Sequence, residues 1–122
     1  MENSSKVAVD VSTQLELNVI CRSPHVLVYR LWAKVPNGSW TILATGRTDD
    51  NAPDLHVVGP FPAETLIAYL FRFGGRPRSQ FMGIVTVGQS GEVVDGGTFI
   101  ETGMTDSDGL AQRHHQFALA KT

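Results

Sequence analysis

Cysteine, charge and long apolar runs are all scarce in this chain of 122 residues. The single cysteine, Cys21, has no partner for an intrachain disulfide. Only 18% of the residues are charged, and 10 Lys plus Arg stand against 12 Asp plus Glu, a formal net charge of -2. A general nucleic-acid binder carries a basic excess, so no nucleic acid is expected as a partner. No apolar run approaches the roughly 18 residues of a membrane span, so no membrane is expected either. The N-terminal MENSSKVAVDV has neither a basic n-region nor an apolar h-region, which reads as a cytoplasmic chain as given, or as the mature piece of an exported one.

What is present is β-pattern. Val7, Val9 and Val11 alternate with polar residues, as do Leu15, Leu17, Val19 and Cys21, predicting two half-buried strands joined by a turn at Ser12-Thr13. HVLVYRLWAKV (25–35) and TLIAYLFRF (65–73) are apolar at both parities and read as central strands covered on both sides. Pro36-Asn37-Gly38-Ser39 predicts a hairpin with Asn37-Gly38 at the centre of a type I′ turn, returning as residues 40–45. GRTDDNAP (46–53) is loop by composition, LHVVG a short strand, GPFPAE a rigid connection and FMGIVTV a further strand. After Gly88 the chain turns glycine-rich and acidic, and LAQRHHQFALAKT at the end fits a strand or a short helix. About seven strands at this spacing predict an antiparallel β-sandwich, with a small β-barrel as the alternative. A core domain at 1–88 and a C-terminal extension or strand-exchange arm at 89–122 follow from the change of texture.

In strand order, strand length and the placing of a tryptophan near its middle, the stretch 6–88 resembles a fibronectin type III or other immunoglobulin-like sandwich. VVGPFPAETLIAYLFRF (57–73) then occupies the place of the fifth and sixth strands, with Phe61 and Leu66 in the core. The family's corner tyrosine is not at its place, since Tyr69 sits late in the strand. The resemblance implies a fold, not an activity.

Candidate binding residues cluster at two places. RFGGRPRSQF (72–81) joins two strand runs by a loop in which Gly74-Gly75 turn the chain, and Arg72, Arg76 and Arg78 could fork onto carboxylates, phosphates or sulfated sugars. The plainer reading is a solvated turn. Trp40, just past the hairpin tip, is a candidate for stacking on a sugar ring, whereas Trp32 shares the parity of Val26 and Val28 and is expected in the core.

Asp106-Ser107-Asp108-Gly109 and Asp49-Asp50-Asn51 start like calcium loops but lack the later acidic ligand, so no metal and no cofactor are expected. His114 and His115 point to opposite faces of a strand and would not share an ion. Cys21 has buried parity and reads as an inert thiol.

The function expected is a non-catalytic binding or assembly module, acting through surface loops and the C-terminal arm on a protein partner or on itself. Carbohydrate binding through Trp40 and the tip loops is the alternative, and a small hydrolase or isomerase using His114, His115 or His56 is a third reading.

Overall fold

The computed structural model describes residues 5–50 and 52–122. It is an all-β sandwich of two sheets that do not close into a barrel. Among the described residues nine strands follow one another: β1 Ser5–Val9, β2 Leu15–Cys21, β3 Val26–Lys34, β4 Thr41–Thr48, β5 Asp54–Val58, β6 Leu66–Gly74, β7 Gln80–Gln89, β8 Glu92–Met104 and β9 Leu110–Lys121. One sheet has five strands in the order β1-β9-β6-β3-β4, the other four in the order β5-β2-β7-β8. All pairings are antiparallel except β1 with β9, where Val7 lies beside Leu119.

The sandwich expected from alternation is therefore the fold, with nine strands rather than about seven. The two additional strands come from 89–122: this stretch forms β8, paired with β7, and β9, paired with β6 and β1 inside the five-stranded sheet. The final segment is a strand, not a helix. β4 runs on through Gly46 and Arg47 to Thr48, residues expected in a loop, because Gly46 faces Tyr29 across the pair β3/β4 and a Cβ there would collide with the phenol oxygen. The hairpin turn is also different. Gly38 N–H donates to Val35 O at 2.9 Å, and Asn37 has φ 63°, so Pro36-Asn37 are the central residues. Proline cannot take the positive φ that type I′ requires first, and the pair fits a type II turn instead.

The core lies between the sheets and uses one parity of each strand: Leu15, Leu17 and Val19 from β2, Leu27 and Leu31 from β3, Ile67, Phe71 and Phe73 from β6, Phe81, Val85 and Val87 from β7, and Phe117 and Leu119 from β9, all at most 2% exposed. Phe73 stacks on Phe81 at 4.3 Å between centroids. Gly83 on β7 makes this aromatic layer possible, since a Cβ would stand 2.7 Å from Phe73 Cζ and 3.0 Å from Phe71. Phe61, from the connection before β6, packs against this core as expected, but Leu66 does not: it is half-buried on the outer face of β6.

Two tyrosines of the five-stranded sheet reach across to acids of the other. The Tyr29 hydroxyl donates to Asp54 Oδ2 at 2.7 Å on the edge strand β5, and its oxygen lies 2.6 Å from His56 Nε2. With the phenol proton committed to Asp54, the His56 nitrogen is the donor in that contact. The Tyr69 hydroxyl donates to Glu101 Oε2 at 2.5 Å on β8, the opposite edge of the same sheet. Burial and the facing carboxylate raise both phenol pKa values above the ordinary tyrosine range.

Candidate functional site

β3 and β6 are central in their sheet but covered on one side only. Their inward residues fill the core, and the opposite parity, Val28, Arg30, Trp32 and Lys34 on β3 and Leu66, Ala68, Leu70 and Arg72 on β6, faces outward. Trp32 is on this outer face and half-buried, not in the core. Its parity with Val26 and Val28 is as read, but the core takes the Leu27, Tyr29, Leu31, Ala33 set.

Strand register arranges the outer face in rows. Arg47, Val28, Arg72 and Gln112 form one row, Thr45, Arg30, Leu70 and His114 the next, and Trp32, Ala68 and Gln116 a third. Lys34, Leu66, Ala118 and Lys6 follow. Arg47 and Arg72 stand two strands apart, about 10 Å at the usual spacing. Lys6, Arg30, Lys34, Arg47 and Arg72 thus place five of the chain's 10 Lys and Arg on one face, and none of these row positions carries Asp or Glu. A net charge of -2 conceals this because it sums over both faces and both ends.

Two adjoining grooves cut the face. One, about 350 Å³, is lined by Arg30, Arg47 and Arg72 with Val28, Thr45 and Leu70. The other, about 740 Å³, runs across β3, β6, β9 and β1 past Trp32, Leu70, His114, Gln116 and Lys6, with Glu64 the acid in its lining. The Arg30 guanidinium lies 5.7 Å from the Trp32 ring centroid, two residues along the strand, so the cation and the indole occupy neighbouring places on the floor. Forked guanidinium groups on a half-apolar sheet suit carboxylate, sulfate or phosphate oxygens, and the indole and Leu70 suit the apolar body that carries them.

The residues singled out in the sequence are dispersed. Arg72 is on this face. Arg76 and Arg78 are exposed in the loop after β6, at the end of the sheet where β3 begins. That loop is tied down: Gly75 N–H donates to Gly109 O at 2.9 Å, Arg78 N–H to Asp106 O at 3.1 Å, and Arg76 O accepts from the Ser79 and Thr105 hydroxyls at 2.7 and 2.6 Å. His25, buried beneath it, is hydrogen-bonded with Ser23 Oγ and Ser79 Oγ, both at 2.8 Å. RFGGRPRSQF is therefore a fixed turn whose backbone is occupied by its neighbours. Trp40 is 43% exposed in the loop after β3, at the opposite end, so the structure does not bring it together with these arginines.

The histidines lie apart as well. His114 is outward beside the larger groove, while His115 points inward, Nε2 at 3.1 Å from Ser5 Oγ and its ring between Tyr69 and Phe99. His56 belongs to the Tyr29 contact on the other sheet. Cys21 is buried, its thiol 3.5 Å from Ser23 O and His25 O. Asp106 accepts from the Asp108 and Leu110 amides at 2.8 and 2.9 Å, the geometry of a carboxylate organising its own turn. Of the other acidic cluster, Asn51 lies outside the described residues. Among the described residues no group of three or more His, Cys, Asp or Glu is placed to hold a metal ion, and no helix is long and apolar enough to cross a membrane.

The basic groove escaped sequence reading because its members come from three strands, and only long-range pairing makes neighbours of Arg30, Arg47 and Arg72. The signal available was Arg30 and Trp32 at equal parity in a strand that is otherwise apolar. No family model, no curated protein and no solved structure matches the chain.

Proposed function

We propose that this protein is a non-catalytic binding module whose working surface is the outer face of the five-stranded sheet, and that its ligand is an anionic chain molecule. The observation that carries this reading is the convergence of Arg30, Arg47 and Arg72 on one groove whose lining holds no carboxylate. Like charges gathered on one face favour the binding of an anion, which offsets their mutual repulsion. The adjoining groove, floored by Trp32, extends the surface for a ligand longer than a single anion.

An acidic oligosaccharide uses both halves: acid groups on the arginines, a ring face on Trp32, and hydroxyls at Thr45, His114 and Gln116. The sugar-binding reading thus passes from Trp40 to Trp32. The test is tryptophan emission in a Trp40→Phe background, leaving Trp32 as reporter, titrated with a short sulfated oligosaccharide and with its unsulfated counterpart. The expected result is a saturable change with the sulfated chain, weakened by salt. Equal response to the neutral chain, or none to either, overturns the proposal, and stronger binding of a single-stranded oligonucleotide of equal charge replaces the sugar by a nucleic acid.

A further inference from the structure

The outer face of the four-stranded sheet has a different composition. Its rows, read from pairing, are Val57, Glu16, Gly88 and Val93; then Leu55, Asn18, Thr86 and Thr98; then Ile20, Ile84 and Ile100; then Met82 and Thr102; then Gln80 and Met104. Arg22 follows β2 and donates its backbone N–H to Met82 O at 2.9 Å, which places it at the level of the fourth row. Leu55, Val57, Val93, Ile100 and Met104 are each more than half exposed. A sheet face that puts an isoleucine on each of three adjacent strands is far more apolar than solvent exposure requires.

We propose that this face docks a second copy of the same chain, sheet on sheet, about a two-fold axis. Two features name the occupant. The first is charge: Glu16 and Arg22 stand at opposite ends of the outward row of β2, with Asn18 and Ile20 between them. A two-fold axis lying in the interface, perpendicular to β2 at its midpoint, exchanges those ends, so the pairing of Glu16 with the partner's Arg22 occurs twice. Gly91 N–H, at 3.1 and 3.3 Å from the two Glu16 carboxylate oxygens, holds that carboxylate at the rim. A row with one acid and one base at its two ends is self-complementary in the antiparallel sense and mismatched in the parallel one.

The second feature is area. Four strands at about 4.8 Å and about eight residues at about 3.4 Å present roughly 19 by 27 Å, on the order of 500 Å² in projection and more in accessible surface. That approaches the roughly 800 Å² per partner of a standard interface. Aligned sheets pack about 10 Å apart, a gap that isoleucine and methionine side chains fill from both sides. The basic sheet stays outermost on both copies, so the pair presents two binding faces pointing away from each other.

The experiment is the mass of the full chain in solution by light scattering behind a sizing column, over a concentration series. The expected result is a species of twice the 13.3 kDa chain mass. Ile100→Lys, at an exposed position, raises the dissociation constant at least tenfold. Glu16→Arg and Arg22→Glu each weaken the pair, and the double variant restores it, because the exchanged charges are again complementary. A monomer at every concentration overturns the proposal, and so does a dimer indifferent to Ile100→Lys or one that the double exchange fails to rescue. Circular dichroism of each variant separates loss of pairing from loss of folding.

Discussion

The two outer faces of this sandwich are made on strands of similar length around one shared core, yet they differ in almost every surface property. The five-stranded sheet presents Arg30, Arg47, Arg72, Lys6 and Lys34 around Trp32 and is cut by two grooves. The four-stranded sheet presents Ile20, Ile84, Ile100, Leu55 and Val57, with its charges at the two ends of one strand. Burial on the inner side is nearly complete along β2 and β7 of one sheet and β3 and β6 of the other, so stability demands little of their outer faces. Side chains there are free of the core's demands, and the contrast is one of composition: charge and ring faces on one side, aliphatic surface on the other.

The most drastic way to break the contrast is to remove what the faces share. Phe71→Ala, fully buried between Tyr69, Phe73 and Gly83, lowers unfolding stability by about 3–5 kcal/mol in urea denaturation, and both faces lose order together. Next comes a change confined to the basic face. Arg30→Gln, Arg47→Gln and Arg72→Gln combined weaken binding of the sulfated oligosaccharide by about a hundredfold in the emission titration, from hydrogen bonds to charged groups worth about 1.5–3 kcal/mol each less what glutamine retains. The urea midpoint of that variant moves little, since the three side chains are outside the core. On the aliphatic face, Asn18 sits in the second row with its Oδ1 buried and without a hydrogen-bond partner. Asn18→Val removes that oxygen and supplies a β-branched side chain, raising stability by about 1 kcal/mol in the same assay. The smallest effect belongs to Arg76→Ala with Arg78→Ala: stability stays within about 0.5 kcal/mol, as the loop is held by its backbone and not by those guanidiniums.

A pH experiment examines what joins the two sheets. Tyr29 and Tyr69 have raised phenol pKa values in the folded chain, so the native state keeps protons that the unfolded state releases. Their contribution is complete below the ordinary phenol pKa of about 10 and is lost as pH rises through the folded values. Denaturation midpoints measured upward from pH 9 therefore fall, and Tyr29→Phe with Tyr69→Phe flattens the alkaline limb while lowering the neutral plateau.

Much of the fold was legible in the amino-acid order. Leu15, Leu17, Val19 and Cys21 alternate with polar neighbours, and a half-buried strand has no other inward set to offer. β3 was legible as a central strand, but its two faces are nearly equal in apolar content, and periodicity alone does not say which one meets the core. Trp32 fell on the wrong side for that reason. β8 was hidden because, past Val94, its inward places in the second half are Phe99, Glu101 and Gly103 instead of aliphatics. Glu101 is needed as the acceptor for Tyr69, and a Cβ at Gly103 would stand 2.5 Å from Arg113 Nη2 and 2.8 Å from Phe81 Cζ. Both requirements come from strands distant in sequence, which no local pattern records.

The tyrosine bridges carry a consequence for how the molecule opens. β5 and β8 are the outermost strands of their sheet, and outermost strands ordinarily exchange their amide hydrogens first by peeling away alone. Here each is fastened by a phenol to a central strand of the opposite layer, so peeling either one strands a carboxylate's partner inside the core. Amide exchange along β5 and β8 should then follow the slow, global rate of the interior, and Tyr29→Phe should release β5 alone to exchange early, as a seam with one stitch cut.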